Sequence, residues 1–314
     1  MICSGISLSF DFFTESKALL QDHIPDVMDQ AAFGLVGEGS ECFGFDDEIS
    51  QDHDWGAAFC LWLPREKLRS CKERIESALS KLPGTFKGYS VRIHPNERMG
   101  RVGPIATEDF YARFIGMERP PETWQEWRSI PEHALAVCTN GEVFQDGTGA
   151  FTDFRHALLR YYPEDIRRKK IASRCMIMAQ AGQYNLPRSL QRQEAGSAML
   201  AAARFSEAAL SMAFLLNCRY MPFYKWACPM ANRLPILGKK TAQAVNLLAT
   251  CSFTSKSDTP RMINAVESLC AAVSAQLREE GLTDVKNDWL WALGPSIQMG
   301  IHEQHLRCID VMQD

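Results

Sequence analysis

No two of the eleven cysteines form a CxxC pair; Cys3, Cys42, Cys60, Cys71, Cys138, Cys175, Cys218, Cys228, Cys251, Cys270 and Cys308 are scattered along 314 residues. That scatter argues against a zinc site or a disulfide framework and leaves most of the thiols as small buried hydrophobes in a reducing compartment. Positive charge is not in excess either. With 34 Lys and Arg against 38 Asp and Glu, the formal net charge is -4, so no overall basic face invites a nucleic-acid backbone, although a local patch stays open. No uninterrupted apolar run reaches the ~20 residues a membrane helix requires. The N-terminal "MICSGISLSFDFFTESK" has no basic segment ahead of a continuous apolar run and does not read as a secretory signal. A cytoplasmic protein without a membrane partner is expected. Internal repeats and low-complexity segments are also missing.

What is present is enough chain for two domains. Residues 10–30 read as helix with a break near Pro25, and "FGLVG" (33–37) as a short buried strand. A Gly-Ser turn follows, then "DHDWGAAFCLWL" (52–63), too apolar for a half-exposed strand. Pro64 opens a helix with Leu68, Cys71, Ile75, Leu79 and Leu82 on one stripe. "FKGYSVRIHP" alternates as a strand, and the Asn140-Gly141 pair in "ALAVCTNGEVFQDG" signals a hairpin. From about residue 152 the chain becomes rich in Ala, Leu and Met with helical periodicity. The expected fold is α+β: a mixed-sheet α/β domain over 1–150 and a helical bundle over 151–314.

The chemistry concentrates in "GLVGEGSECFGFDDEISQDHDW" (34–55). In a strand, residues i and i+2 share a face, so Asp52 and Asp54 project together while His53 and Trp55 face the other way. Two carboxylates held that close repel unless a cation lies between them. Magnesium suits the position, since it takes one or two carboxylates supplemented by water and phosphate oxygens. The turn at Gly37, Gly39 and Ser40 offers unobstructed backbone N–H groups and a hydroxyl, which suit anionic phosphate. Taken singly, each feature has a plain alternative, a solvated strand edge or an ordinary loop. Their combination is more specific: an apolar strand, a Gly-Ser turn, eleven intervening residues, then Asp-x-Asp opening a second apolar strand.

"GEGS" followed by "DHDW" resembles the signature of the DNA polymerase beta type nucleotidyltransferase superfamily. The wider "LVGEGSECFGFDDEISQDHDWG", with "NGEVFQDGTGAF" and "LLNCRYMPFYKW", is similar to a bacterial branch of it. The two-domain plan is similar to that of the aminoglycoside nucleotidyltransferases. The motif-level likeness covers roughly residues 33–63. The resemblance implies a nucleotidyltransferase domain followed by helices, with Gly39 and Ser40 contacting a triphosphate and Asp52 and Asp54 ligating magnesium. It implies transfer of a nucleoside monophosphate from an NTP, ATP being the expected one, to a hydroxyl acceptor, with release of pyrophosphate. A small-molecule acceptor is favoured; RNA or protein fits the motif as well, and the acidic net charge weighs against RNA. The superfamily often supplies a third acid from the next strand, where this chain has Ser90, Arg92 and His94. That departure supports an alternative, a nucleotide-binding or sensing protein of the same fold that has lost turnover. A helical interaction module with an incidental acidic pair is the third reading.

In the helical half, Lys225 in "NCRYMPFYKW" resembles a triphosphate-contacting lysine of related two-domain enzymes, and equally reads as a solvated lysine beside a tryptophan. Glu207, in the apolar "RFSEAALSMAFLL", is the candidate general base. Arg204 three residues earlier favours a structural ion pair for it. Gln183, Tyr184, Asn185, Arg188 and Arg192 cluster in a helix-turn-helix join and read either as acceptor-pocket residues or as caps and solvated turns. His53 reads as a core histidine, Asp46, Asp47 and Glu48 as an N-capping or solvated tip with a water-mediated route to the metal left open, Asp146 as a turn residue, and Trp124 and Trp127 as packing residues at the domain junction.

Overall fold

Ile24 and Pro25 interrupt the first helix, because proline disfavours helical geometry in the residue before it and itself suits a first helical position. Helix α1 (Gly5–His23) stops there and α2 (Pro25–Met28) restarts the winding. The computed structural model describes residues 4–51 and 55–314. Helices hold 61% of the residues and strands 7%, so this is an α+β protein packed mainly through helices. The chain divides into two compact units, Met1–Glu122 with Ile130–Arg160, and Thr123–Ser129 with Tyr161–Asp314.

The first unit continues with β1 (Ala32–Leu35), α3 (Ser40–Phe43), β2 (Cys60–Leu63), α4 (Arg65–Leu79), the short strands β3 (Thr85–Phe86) and β4 (Tyr89–Ser90), β5 (Gly103–Ala106) and α5 (Thr107–Ile115). Helix α6 (Trp124–Ser129) belongs to the second unit; α7 (Glu132–Thr139), β6 (Glu142–Asp146) and α8 (Ala150–Leu159) complete the first. The main sheet has the order β5-β2-β1-β6 and is mixed: β1 runs antiparallel to β2 and β6, and β2 parallel to β5.

All four residues of "CLWL" in β2 are buried because helices cover both faces of the sheet. Leu61, Leu63 and Phe33 join Phe12 and Phe13 of α1 and Ile75 and Leu79 of α4 in one core. Trp62 faces the opposite way, stacked on Phe151 of α8 at 3.9 Å between ring centroids, while Tyr111 of α5 stacks on Phe154 at 3.6 Å. Each such ring contributes roughly 2–3 kcal/mol by burial.

Three sequence expectations are corrected. Strand β2 begins at Cys60 rather than 52. Among the described residues ahead of it, Gly56 has φ +147° with the Ser90 carbonyl lying where a side chain would go, and only Ala57 bridges, to Val91. The alternating "FKGYSVRIHP" is no single strand: Lys87 (φ 49°) and Gly88 (φ 86°) turn it into the β3-β4 hairpin. Asn140-Gly141 joins a helix to a strand rather than two strands, since "ALAVCT" buries five consecutive residues, Ala134–Cys138, as α7.

The second unit is built on α9 (Glu164–Met178), buried on nearly every side. Its run "RRKK" is not a solvated face. Arg167 donates to the Leu215 carbonyl and pairs with Glu280, and Lys169 donates to Gln298 Oε1 and to the carbonyls of Ile309 and Asp310. Helix α9 passes into a π-helical segment (Ala179–Asn185) and then α10 (Leu186–Gln191) without the expected turn. There follow α11 (Ala195–Leu216), α12 (Tyr224–Ala231), α13 (Gly238–Thr250), α14 (Thr259–Glu279), α15 (Leu290–Met299) and α16 (Gln304–Cys308). Among the described residues, α11 is the one helix long and apolar enough to cross a membrane, and 61% of its apolar window is buried inside the protein. Its hydropathy is that of a core helix.

Candidate functional site

The antiparallel register of β1 and β2 pairs Phe33 with Leu61 and Gly34 with Cys60. The turn that follows β1 therefore lies at the edge of the sheet from which the chain enters β2. Asn140 clamps this turn: its Oδ1 accepts the Gly37 N–H at 3.1 Å and its Nδ2 donates to the Gly37 carbonyl at 2.6 Å. The Gly141 N–H donates to the Cys42 carbonyl at 2.8 Å. Arg155, half-buried, fixes the clamp by donating to the carbonyls of Cys138, Thr139 and Gly141. It closes the C-terminal end of α7 as a basic side chain commonly does.

This clamp narrows the anion-binding expectation, because the Gly37 amide is already used. Among the described residues, the amides of Gly39 and Ser40 and the Ser40 hydroxyl have no hydrogen-bond partner, and Ser40 is half-exposed. Behind them, the Glu41 carboxylate folds over Gly39 into the space a side chain there would need. Glu41 pairs with Arg92 at 3.1 Å, both side chains 8% exposed. So Arg92, at the position where a third acid was sought, is committed to holding the glycine turn in place. Its Nε is buried without a hydrogen-bond partner. Ser90 is exposed and uses its carbonyl to receive the Ala57 N–H.

Asp52, His53 and Asp54 lie outside the described residues. Two of the acids before them, Asp46 and Asp47, are engaged in capping. Asp46 Oδ2 accepts the Gly5 N–H at the start of α1 and, at 3.4 Å, the indole N–H of buried Trp55. Asp47 Oδ1 accepts both the amide and the hydroxyl of Ser50 at 2.9 Å, and these bonds hold its carboxyl below the usual range. Asp146 likewise accepts the Gly149 and Thr152 amides at the start of α8. Among the described residues, no three His, Cys, Asp or Glu side chains gather as a metal-holding group. Burial pushes the Cys42 thiol well up and the Cys60 thiol up to about 12, so both are protonated near neutrality.

In the second unit the structure does not bring Glu207 and Lys225 onto a shared feature. Glu207 lines a pocket of about 140 Å³ with Arg174, Arg204 and Ser211. The expected ion pair with Arg204 is not formed, and both side chains are exposed. Lys225 is exposed at the start of α12, with its ammonium 4.7 Å above the Trp226 ring. Trp127 is buried edge-on against Tyr162 at 5.8 Å.

The cluster at 183–192 divides by role. Gln183 is buried and ties three groups together: its Nε2 donates to Glu267 and to the Asp288 carbonyl, and its Oε1 accepts the Leu290 N–H. Tyr184 and Asn185 line a second pocket of about 360 Å³ with Gln180, Trp289 and Trp291. Arg188 lies flat on Tyr184 at 3.6 Å, and Arg192 is exposed. Sequence reasoning gave Asn140 and Arg92 no part in holding the turn and did not single out the two tryptophans. For Asn140, the signal was its side chain, able to donate and accept at once, at the end of an apolar run.

Compared with known proteins, residues 127–227 match a family model described as a domain of unknown function, DUF4037. The match runs from Trp127 in α6 to Ala227 in α12, less than half of the chain. No curated protein and no solved structure matches the chain.

Proposed function

We propose that the chain transfers a nucleoside monophosphate from an NTP, with ATP as the expected donor, to a hydroxyl-bearing acceptor and releases pyrophosphate. The observation that carries this reading is the clamped turn: Asn140 and the Glu41–Arg92 pair fix its backbone, while the Gly39 and Ser40 amides and the Ser40 hydroxyl are left without partners among the described residues. Rigid, unpartnered N–H and O–H donors are what a triphosphate tail requires. The segment entering β2 at the same edge of the sheet follows Asp52 and Asp54 directly in sequence.

Carboxylate and hydroxyl oxygens are hard donors, a chemistry that fits magnesium. Asp52 and Asp54 would hold that ion, which when bound neutralises charge on the triphosphate as the nucleotidyl group moves in line. Gly39 and Ser40 hold the leaving phosphates through hydrogen bonds. A small-molecule acceptor is favoured, and a cytoplasmic setting belongs to the same reading. Glu207→Gln slowing transfer and Lys225→Ala weakening triphosphate affinity are the outcomes that would bring the second unit's candidates into the reaction.

The test is incubation of the purified chain with each labelled NTP and magnesium, with and without cell extract. It is followed by assay of pyrophosphate and mass analysis for a molecule heavier by one nucleoside monophosphate. Arg92 at the third-acid position favours a second reading, triphosphate binding without turnover; that reading predicts magnesium-dependent stabilisation by NTP with no pyrophosphate.

A further inference from the structure

The π-helical segment of the second unit does something a regular helix would not. Inserting such a segment shifts the register of the side chains that follow it, and π-segments recur at functional sites. Here Gln183, 9% exposed, is turned inward and receives the first amide of α15. That single carboxamide binds the π-segment to residues 288–290, and Tyr184 and Asn185 next to it then face Trp289 and Trp291 across a pocket of about 360 Å³. The volume falls within the range of small-molecule sites.

The wall chemistry selects the occupant. Tyr184, Trp289 and Trp291 make the wall almost wholly apolar, and Gln180 and Asn185, both exposed, each carry one donor group and one acceptor beside it. Among the described residues neither carboxamide has a hydrogen-bond partner. A cation is disfavoured, because the Arg188 guanidinium already lies on Tyr184 at 3.6 Å and would repel a second positive charge. A saccharide would leave most of its hydroxyls unmatched by two carboxamides. A flat ring with polar edges satisfies both the faces and the amides: aromatic side chains stack on bases, and Asn and Gln pair with base edges in both donor and acceptor senses. We propose that this pocket binds a planar, uncharged heteroaromatic ring with hydrogen-bonding edges, the chemistry of a free nucleobase or nucleoside. The proposal goes beyond nucleotidyl transfer and does not depend on it.

The experiment titrates the full chain with adenosine, guanosine, cytidine and uridine, without magnesium, following tryptophan emission and binding heat. Saturable binding of at least one nucleoside is expected, unaltered in the Asp52→Asn, Asp54→Asn double variant. Trp291→Ala should weaken it about fivefold to a hundredfold, and Trp291→Phe should keep most of the affinity. Trp291 is 39% exposed, so Trp291→Phe should melt close to the parent and Trp291→Ala somewhat below it, and binding is compared at a temperature where all three are folded. A single-stranded RNA hexamer, methyl glucoside and tetramethylammonium are the comparison arms. The proposal is overturned if no nucleoside saturates, if one of those three binds while nucleosides do not, or if Trp291→Ala binds as tightly as the parent.

Discussion

In the first unit the candidate chemistry sits on a glycine turn tied down by the side chains around it; in the second it sits on aromatic rings held in place by one buried glutamine. The turn is polar and made of backbone, and its rigidity comes from Asn140, Arg155 and the Glu41–Arg92 pair. The pocket is apolar and made of side chains, and its shape comes from Gln183 reaching across to Leu290 and Asp288. The difference shows two ways of preparing a site in advance. A backbone donor is aimed by fixing its carbonyl and amide neighbours, whereas a ring is aimed by fixing the helix that carries it.

Breaking the first arrangement should have the largest effect. Arg92→Met leaves Glu41 charged and buried without its partner, and the expected loss is ~3–5 kcal/mol in urea unfolding. Adding Glu41→Gln should recover part of it. A loss below about 1 kcal/mol would mean that the pair does not tie the turn.

Next comes catalysis itself. Asp52→Asn and Asp54→Asn should each reduce pyrophosphate release by at least roughly a hundredfold, or ~2.7 kcal/mol of barrier. Their melting temperatures should not fall, because each change removes one of two repelling charges. Full activity in either variant rules out the metal role.

The second unit offers the matching test. Gln183→Ala strips the partners from the Leu290 amide and the Asp288 carbonyl, costing ~1–3 kcal/mol, and should abolish nucleoside-induced quenching. Quenching that survives would separate the pocket from its glutamine tie.

A pH-dependent effect concerns Lys169, whose pKa is lowered from the ordinary 10.5 to about 8 by burial and by the nearby Arg128 charge. Between these two values the unfolded chain binds a proton that the folded chain does not. Stability from this group therefore rises with pH from about 8 toward 10.5. The melting temperature of the parent, compared with Lys169→Met, should gain ground across that window and stay parallel below it.

Much of the first unit was legible because local signals and packing agree there. Pro25 breaks the helix, "FGLV" is buried, and the Cys71, Ile75 and Leu79 stripe of α4 faces the core. Where packing overrides local pattern, legibility failed. "FKGYSVRIHP" alternates like a strand, yet Lys87-Gly88 folds it back on itself. Asn140-Gly141 is a hairpin signal whose first arm is helical, because "ALAVCT" is wanted as a buried helix and the asparagine side chain as a clamp. The burial of "RRKK" in α9 depends on partners far along the chain, Glu280 and Gln298 among them, which composition does not reveal. Gly39 and Ser40 could be singled out from the motif, but the Glu41–Arg92 pair behind them joins residues 51 positions apart, which periodicity does not reach. Trp289 and Trp291 carry no pattern of their own; only the π-segment brings Tyr184 opposite them.

The most direct test of the central claim, that one triphosphate bridges the turn at 39–40 and the acids at 52 and 54 through a metal ion, is a melting curve. It is recorded with NTP and magnesium, and again with NTP and a chelator. At a hundredfold excess over Kd the parent should gain ~2.7 kcal/mol with magnesium and little with chelator, and both Ser40→Ala and the Asp52→Asn, Asp54→Asn double variant should lose most of the gain. An equal shift with chelator present, or in the double variant, would contradict it.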